Sequence, residues 1–384
     1  MKKSDERIRG LDVLRALAII FVFMYHYVVF VSRQPTFSFI DEIGWVGVDL
    51  FFVLSGYLIG HQIFSPIANQ REFSFKIFYY RRLLRTLPTY LFVLGIYFLI
   101  PNFRENTILP PLWKFLTFTQ NFGLQTGTAF SHAWSLCVEE QFYLILPVMA
   151  LIIIYKKSIH YGWVILFGLL LIGMFLRGSL WVYYNQHANN HFHALYYTKI
   201  YYSSFCRLDE LVFGVAIAML RNFHKDLWAK ITKKGNLILL FGIISSGITF
   251  YLFLQYHYSR FVTALGYPLL GISFAALTLA ALSQNSYLYK IRIPGAATLA
   301  VWSYAIYLVH KPVSVLIYGE LSKFGVDASS LASISIIILA SIVAGWLLYI
   351  CIELPFLKLR DKIGKVNRTS QIINVNSFVK TSDE

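Results

Sequence analysis

Residues 9–31 read Arg9-Gly-Leu-Asp12-Val-Leu-Arg15-Ala-Leu-Ala-Ile-Ile-Phe-Val-Phe-Met-Tyr-His26-Tyr-Val-Val-Phe-Val31. From about residue 11 the run is long enough to cross the hydrocarbon core of a bilayer, which takes roughly 20 apolar residues in a helix. It is too long for the apolar stretch of a secretory signal, and no small-x-small cleavage pattern follows it. Nine further runs have the same character, near 44–63, 83–101, 134–155, 162–184, 204–220, 236–256, 261–282, 298–318 and 331–353. The sequence therefore predicts an all-α integral membrane protein of about ten transmembrane helices. One membrane domain is expected over residues 1–360, followed by a basic, polar cytoplasmic tail over 361–384.

Composition agrees. Hydrophobic residues make up 57% of the 384 and charged residues only 14%, against about 25% charged in an ordinary soluble domain. Mean hydropathy is +0.58. A net charge of +15 could suggest nucleic acid, but the basic residues fall between the spans. With the N-terminus inside, 24 Lys and Arg lie in inner segments and 6 in outer ones. That asymmetry orients a membrane protein with both termini cytoplasmic. The expected location is the cytoplasmic (inner) membrane, and no nucleic-acid partner is implied. Cys137, Cys206 and Cys351 each sit in an apolar stretch and read as buried hydrophobes. His187, His191 and His193 lack a carboxylate or Cys at ligand spacing, so no metal is expected. The loop near 102–133 is expected to lie on the membrane surface through Trp113, Phe115 and Phe118.

Ionisable groups inside spans are costly and therefore informative. In the first helix, eleven steps of about 100° bring Arg15 and His26 to one face, about 16 Å apart along the axis. Asp12 stands three residues before Arg15 and can pair with it. The second span contains Gly47-Val-Asp49-Leu-Phe-Phe-Val-Leu-Ser55-Gly56, whose small residues favour close packing. Before the third span, Arg82 and Arg85 are neighbours on one face, suited either to phosphate or to setting topology. The fourth opens His132-Ala-Trp134-Ser135-Leu-Cys-Val-Glu139-Glu140-Gln-Phe-Tyr143. There a carboxylate and an imidazole could form an acid–base pair. The sixth opens Arg207-Leu-Asp209-Glu210, where Arg207 and Glu210 can pair at i, i+3, as easily structural as functional. The ninth carries Ser303-Tyr304-Ala-Ile-Tyr307-Leu-Val-His310-Lys311-Pro312, with His310 either a second pocket histidine or a packing residue. The tenth ends Glu353-Leu-Pro355, where proline is expected to stop the helix. By depth, His26, Asp49, His132, Glu139, Glu140 and Asp209 fall in the outer half, and Arg15, Arg82 and Arg85 in the inner half.

Taken together and in order, these motifs resemble acyltransferase family 3, the integral-membrane acyltransferases that modify cell-surface glycans. The resemblance runs over about residues 8–360. It implies an acyl-CoA donor, usually acetyl-CoA, and an acceptor hydroxyl on a glycan or lipid-linked sugar, as in peptidoglycan or lipopolysaccharide. It implies His26 as catalytic base, with Glu139, Glu140 and Asp49 orienting it or the sugar. Arg15, Arg82 and Arg85, with Asp12 beside them, are the implied donor site. Acceptor contacts fall on His132, Trp134, Ser135, Tyr143, Arg207, Asp209 and His310. Many relatives carry a fused extracytoplasmic esterase-like (SGNH-type) domain. The expectation is a stand-alone form acting alone or with a separate extracytoplasmic partner. A transporter or flippase for a polar substrate is the alternative, although no internal repeat of the kind common in transporters is evident.

Overall fold

The computed structural model describes residues 8–362 apart from Glu72, residues 105–106 and Lys157. Nearly all of the expected tail lies outside the described residues. Every regular element among the described residues is helical. Counting helices of nine residues or more, these are α1 (Arg9–Tyr27), α2 (Val46–Ala68), α3 (Phe75–Leu99), α4 (Trp134–Lys156), α5 (His160–His187), α6 (Asp209–Phe223), α7 (Lys225–Lys233), α8 (Gly235–Tyr256), α9 (Tyr267–Leu282), α10 (Ala296–Lys323) and α11 (Leu331–Leu348).

Among the described residues, nine helical stretches are long and apolar enough to cross a membrane. The predicted sixth span is the exception. Its helix, α6, has 15 residues, about 22 Å, short of the roughly 30 Å hydrocarbon core. The helix starts late because the chain before it is committed elsewhere. Ser204–Cys206 is a 3-10 turn and Arg207 leaves helical dihedrals at φ −136°, with Arg207 and Asp209 both held in buried ion pairs.

The bundle core runs along α2 and α6. A Cβ at Gly56 would overlap the carbonyl oxygen of Leu211, and one at Gly214 would overlap that of Val53. Glycine at both positions thus lets the two backbones touch. Helix starts follow ordinary capping chemistry. Ser74 Oγ accepts from Ile77 N at 3.3 Å before α3, and Ser330 Oγ from Ser333 N at 3.2 Å before α11.

Three further expectations change. Pro355 does not stop the last helix. A π turn over Tyr349–Glu353 precedes it and helix continues to Lys362; the wide turn leaves room for a ring that has no N–H to give. Phe115 is not at the surface but fully buried, stacked 6.0 Å from Phe130, whereas its neighbour Trp113 is exposed. Cys351 is exposed, while Cys137 and Cys206 are buried.

Candidate active site

Two cavities meet inside the bundle. The first, about 210 Å³, is walled by Arg15 of α1, Ser55 of α2, Arg82 and Arg85 of α3, Ser135 and Glu139 of α4, and Tyr304 and Tyr307 of α10. Three guanidinium groups from two helices thus converge on one space. Arg82 is held from several sides. Its Nη2 stands 3.6 Å from Glu139 Oε2 and its guanidinium lies 3.8 Å over the Tyr143 ring. Its buried Nε stands 3.7 Å from Glu140 Oε1 and has no hydrogen-bond partner among the described residues. Glu139 is fixed at both oxygens, by Ser55 Oγ donating at 3.0 Å and Tyr143 Oη donating at 2.9 Å.

Glu139 and Glu140 therefore sit with the arginines, not with His26 as their expected outer depth implied. The reason is helical rise. Seven residues separate His132 from Glu139, about 10 Å along the axis. A motif compact in sequence thus spans both cavities.

The second cavity, about 220 Å³, is lined by His26 of α1, His132, Trp134, Tyr307 and the tyrosines Tyr197, Tyr201 and Tyr202. Three imidazoles cluster at this level. The ring centroids of His26 and His310 are 5.0 Å apart, those of His132 and His310 5.5 Å, and those of His26 and His132 6.1 Å. His26 Nδ1 and His310 Nε2 are 2.7 Å apart.

The remaining contacts fix the proton positions. His310 Nδ1 faces the carbonyl oxygens of Tyr307 at 2.8 Å and Ile306 at 3.1 Å. A carbonyl can only accept, so Nδ1 carries the hydrogen. With both rings neutral, His310 Nε2 accepts and His26 Nδ1 donates. His26 Nε2 is then left with a lone pair, in a ring that lines the cavity. His132 Nε2 donates to the carbonyl of Leu308 at 3.2 Å, and its buried Nδ1 has no hydrogen-bond partner among the described residues. Hydrogen-bond geometry alone thus leaves two basic nitrogens, one in the half-buried His26 ring that lines the cavity and one buried on His132.

Tyr307 and Val48 line both cavities. Tyr307 Oη donates to the carbonyl of His132, so Ser135 Oγ, 2.7 Å away, donates to it in turn. This layer is the partition between the arginine space and the histidine space.

Other expected site residues go elsewhere. Asp49 pairs with Arg207, whose guanidinium lies 4.3 Å from the Tyr267 ring centre, 4.6 Å from that of Tyr201 and 5.2 Å from that of Trp134. The Trp134 indole thus covers a buried cation as well as lining the cavity. Arg207 does not close the i, i+3 pair with Glu210, whose buried carboxylate oxygens have no hydrogen-bond partner among the described residues. Asp209 instead takes Arg177 in a two-point ion pair, with Nη2 to Oδ1 at 2.9 Å. Arg177 also donates to the carbonyls of Cys206, Thr263 and Ala264. Asp12, near the start of α1, lines a separate crevice with Arg9 and Arg292.

Sequence reasoning singled out neither Arg177 nor the Tyr307 partition as part of the site. Tyr307 was reachable, since it lies one helical turn before His310. Tyr197 and Tyr201 sit in an irregular π turn, with Tyr202 directly after it, and carry no periodic signal.

Comparison with known proteins places the chain in context. It is 28% identical over 336 residues to peptidoglycan O-acetyltransferase OatA of Listeria monocytogenes, covering 82% of this chain and 50% of that protein. It is 26% identical over 341 residues to O-acetyltransferase OatA of Staphylococcus aureus, covering 82% and 52%. An uncharacterized Haemophilus influenzae protein is 32% identical over 257 residues, covering 62% and 99%. The chain thus spans about half the length of the two named O-acetyltransferases. No solved structure matches it. A family model described as an acyltransferase domain matches residues 8–350, and the chain belongs to that family.

Proposed function

We propose that the protein is a membrane O-acyltransferase that moves an acetyl group from acetyl-CoA to a hydroxyl of a cell-surface glycan or lipid-linked sugar. The observation that carries this reading is the pair of cavities divided by the Tyr307–Ser135 layer, with arginines on one side and imidazoles on the other. Arg15 and His26 stand on the same face of α1, so one helix links the two. By the distribution of basic charge, the arginine side faces the cytoplasm and the histidine side faces outward in the inner membrane.

The arginine cavity suits the phosphates of a CoA donor. Arg15, Arg82 and Arg85 supply positive charge and planar donors. The thioester supplies an activated acetyl group. His26 Nε2 takes the proton of the acceptor hydroxyl, and His310 holds the ring in the tautomer that leaves this nitrogen free. The hydroxyl oxygen bonds to the acetyl carbon as the carbon–sulfur bond breaks, and the proton passes through the imidazole to the departing sulfur. Glu139 and Glu140 act on the donor side by orienting Arg82. Names of relatives that include O-acetyltransferase and peptidoglycan support the same chemistry and an envelope acceptor.

Release of CoA from acetyl-CoA by the purified protein, measured with and without glycan acceptor, tests the proposal. We expect acceptor-dependent release. In the Arg85→Gln variant, loss of one charged contact to phosphate raises the KM for acetyl-CoA roughly tenfold with kcat little changed. Absence of CoA release with every envelope glycan tried, or an unchanged donor KM in this variant, overturns it.

A further inference from the structure

A third cavity, about 620 Å³, opens beside the histidine cavity and shares Tyr25, Trp45 and Tyr197 with it. Its walls are aromatic and tightly set. Trp45 is buried, its indole nitrogen donates to the carbonyl of Glu42 at 2.9 Å, and its ring meets Phe253 edge-on at 4.9 Å. Tyr197 Oη and Tyr258 Oη are 3.1 Å apart. Around these faces stand polar groups. The side chains of Glu42 and Gln255 line the opening and are exposed, and the half-buried His257 ring lines it too, its Nε2 buried with no hydrogen-bond partner among the described residues.

The charge of this space is the opposite of the donor cavity's. Among the described residues no Lys or Arg lines it, whereas three arginines line the other. Burial, reinforced by the nearby positive charge of Arg207, holds His257 down to about 4, so its ring is neutral at physiological pH. The one formal charge on the lining is the carboxylate of Glu42.

Flat aromatic faces flanked by an amide, a carboxylate and an imidazole are complementary to a sugar ring. The axial C–H face of such a ring is apolar, and its rim of hydroxyls both donates and accepts. An anionic ring would bring its charge beside Glu42 with no cation to offset it.

We infer that this cavity is the acceptor subsite and that it selects an uncharged saccharide, whose ring packs against the exposed Tyr256 and the half-buried Tyr258 while one hydroxyl reaches past Tyr25 to His26. This rests on the acyl-transfer reading above, because it names the acceptor of that reaction.

The experiment uses the purified full chain, acetyl-CoA labelled in the acetyl group, and two probes: a neutral N-acetylglucosamine oligosaccharide and an oligosaccharide of equal length built from uronic acid. The neutral probe is expected to accept label with kcat/KM at least about tenfold above the acidic one. Gln255→Ala, at an exposed position, is expected to raise the KM for the neutral probe about fivefold, as loss of one neutral hydrogen bond does. The KM for acetyl-CoA should be unchanged. Glu42→Lys should narrow the preference between the probes. Equal use of both probes, or an unchanged acceptor KM in Gln255→Ala, overturns the subsite while leaving acyl transfer intact. If neither probe takes label, transfer to such glycans fails, and binding then decides the subsite by titrating the neutral probe against intrinsic tryptophan fluorescence. Saturable binding weakened by Gln255→Ala supports the subsite without the chemistry, and no binding overturns both.

Discussion

His26→Ala will lower acceptor-dependent release of CoA by at least about a hundredfold while leaving the KM for acetyl-CoA nearly unchanged. The magnitude is that of a general base positioned on the reacting hydroxyl, typically about 10² to 10⁴ in rate. The split between rate and donor affinity follows from geometry, since His26 lines the histidine cavity and not the arginine one. His310 gives the internal control. It touches His26 Nδ1 at 2.7 Å through its own Nε2 and acts by fixing the tautomer. His310→Gln keeps an acceptor for that proton, whereas His310→Phe does not. The glutamine variant should retain clearly more of the rate and a pH profile closer to the parent's. Equal rates and profiles in the two variants would remove the tautomer argument.

The second large effect is on stability. Arg207 is fully buried, paired with Asp49 and enclosed by Trp134, Tyr201 and Tyr267. Arg207→Leu leaves Asp49 as a buried, uncompensated carboxylate, and removing one partner of such a pair costs about 3–5 kcal/mol. The yield of folded protein after detergent extraction and its melting temperature should both fall sharply. Replacing both partners, Asp49→Leu with Arg207→Leu, should recover part of the loss, because Asp49 is then not left without its counter-charge. Total activity should track the amount of folded protein in both, with activity per folded molecule little changed. A normal melting temperature combined with lost transfer would instead assign this pair to the chemistry.

The spans were legible in the sequence because crossing a membrane demands an uninterrupted apolar run. What failed was depth and partnership. Glu139 and Glu140 look adjacent to His132 in one motif, yet helical rise carries them to the arginine level. Arg207 and Glu210 suggest a local pair, yet Arg207 finds its partner on another helix, in Asp49, and the intervening Asp209 takes Arg177. Those choices depend on which helices the glycines of α2 and α6 allow to touch, which no local spacing encodes. The aromatic cavity was invisible for a related reason, since its walls come from α1, the segment before α2, a π turn, and the end of α8 with the loop after it.

The central claim is transfer across the Tyr307–Ser135 partition, and sidedness tests it most directly. The protein is reconstituted in vesicles that enclose acetyl-labelled acetyl-CoA, with an impermeant saccharide acceptor outside. The account predicts label on hydroxyls of the outer saccharide, one CoA left inside for each acetyl transferred, and neither event in His26→Ala. Intact acetyl-CoA appearing outside, or labelling only when donor and acceptor share one side, would contradict it.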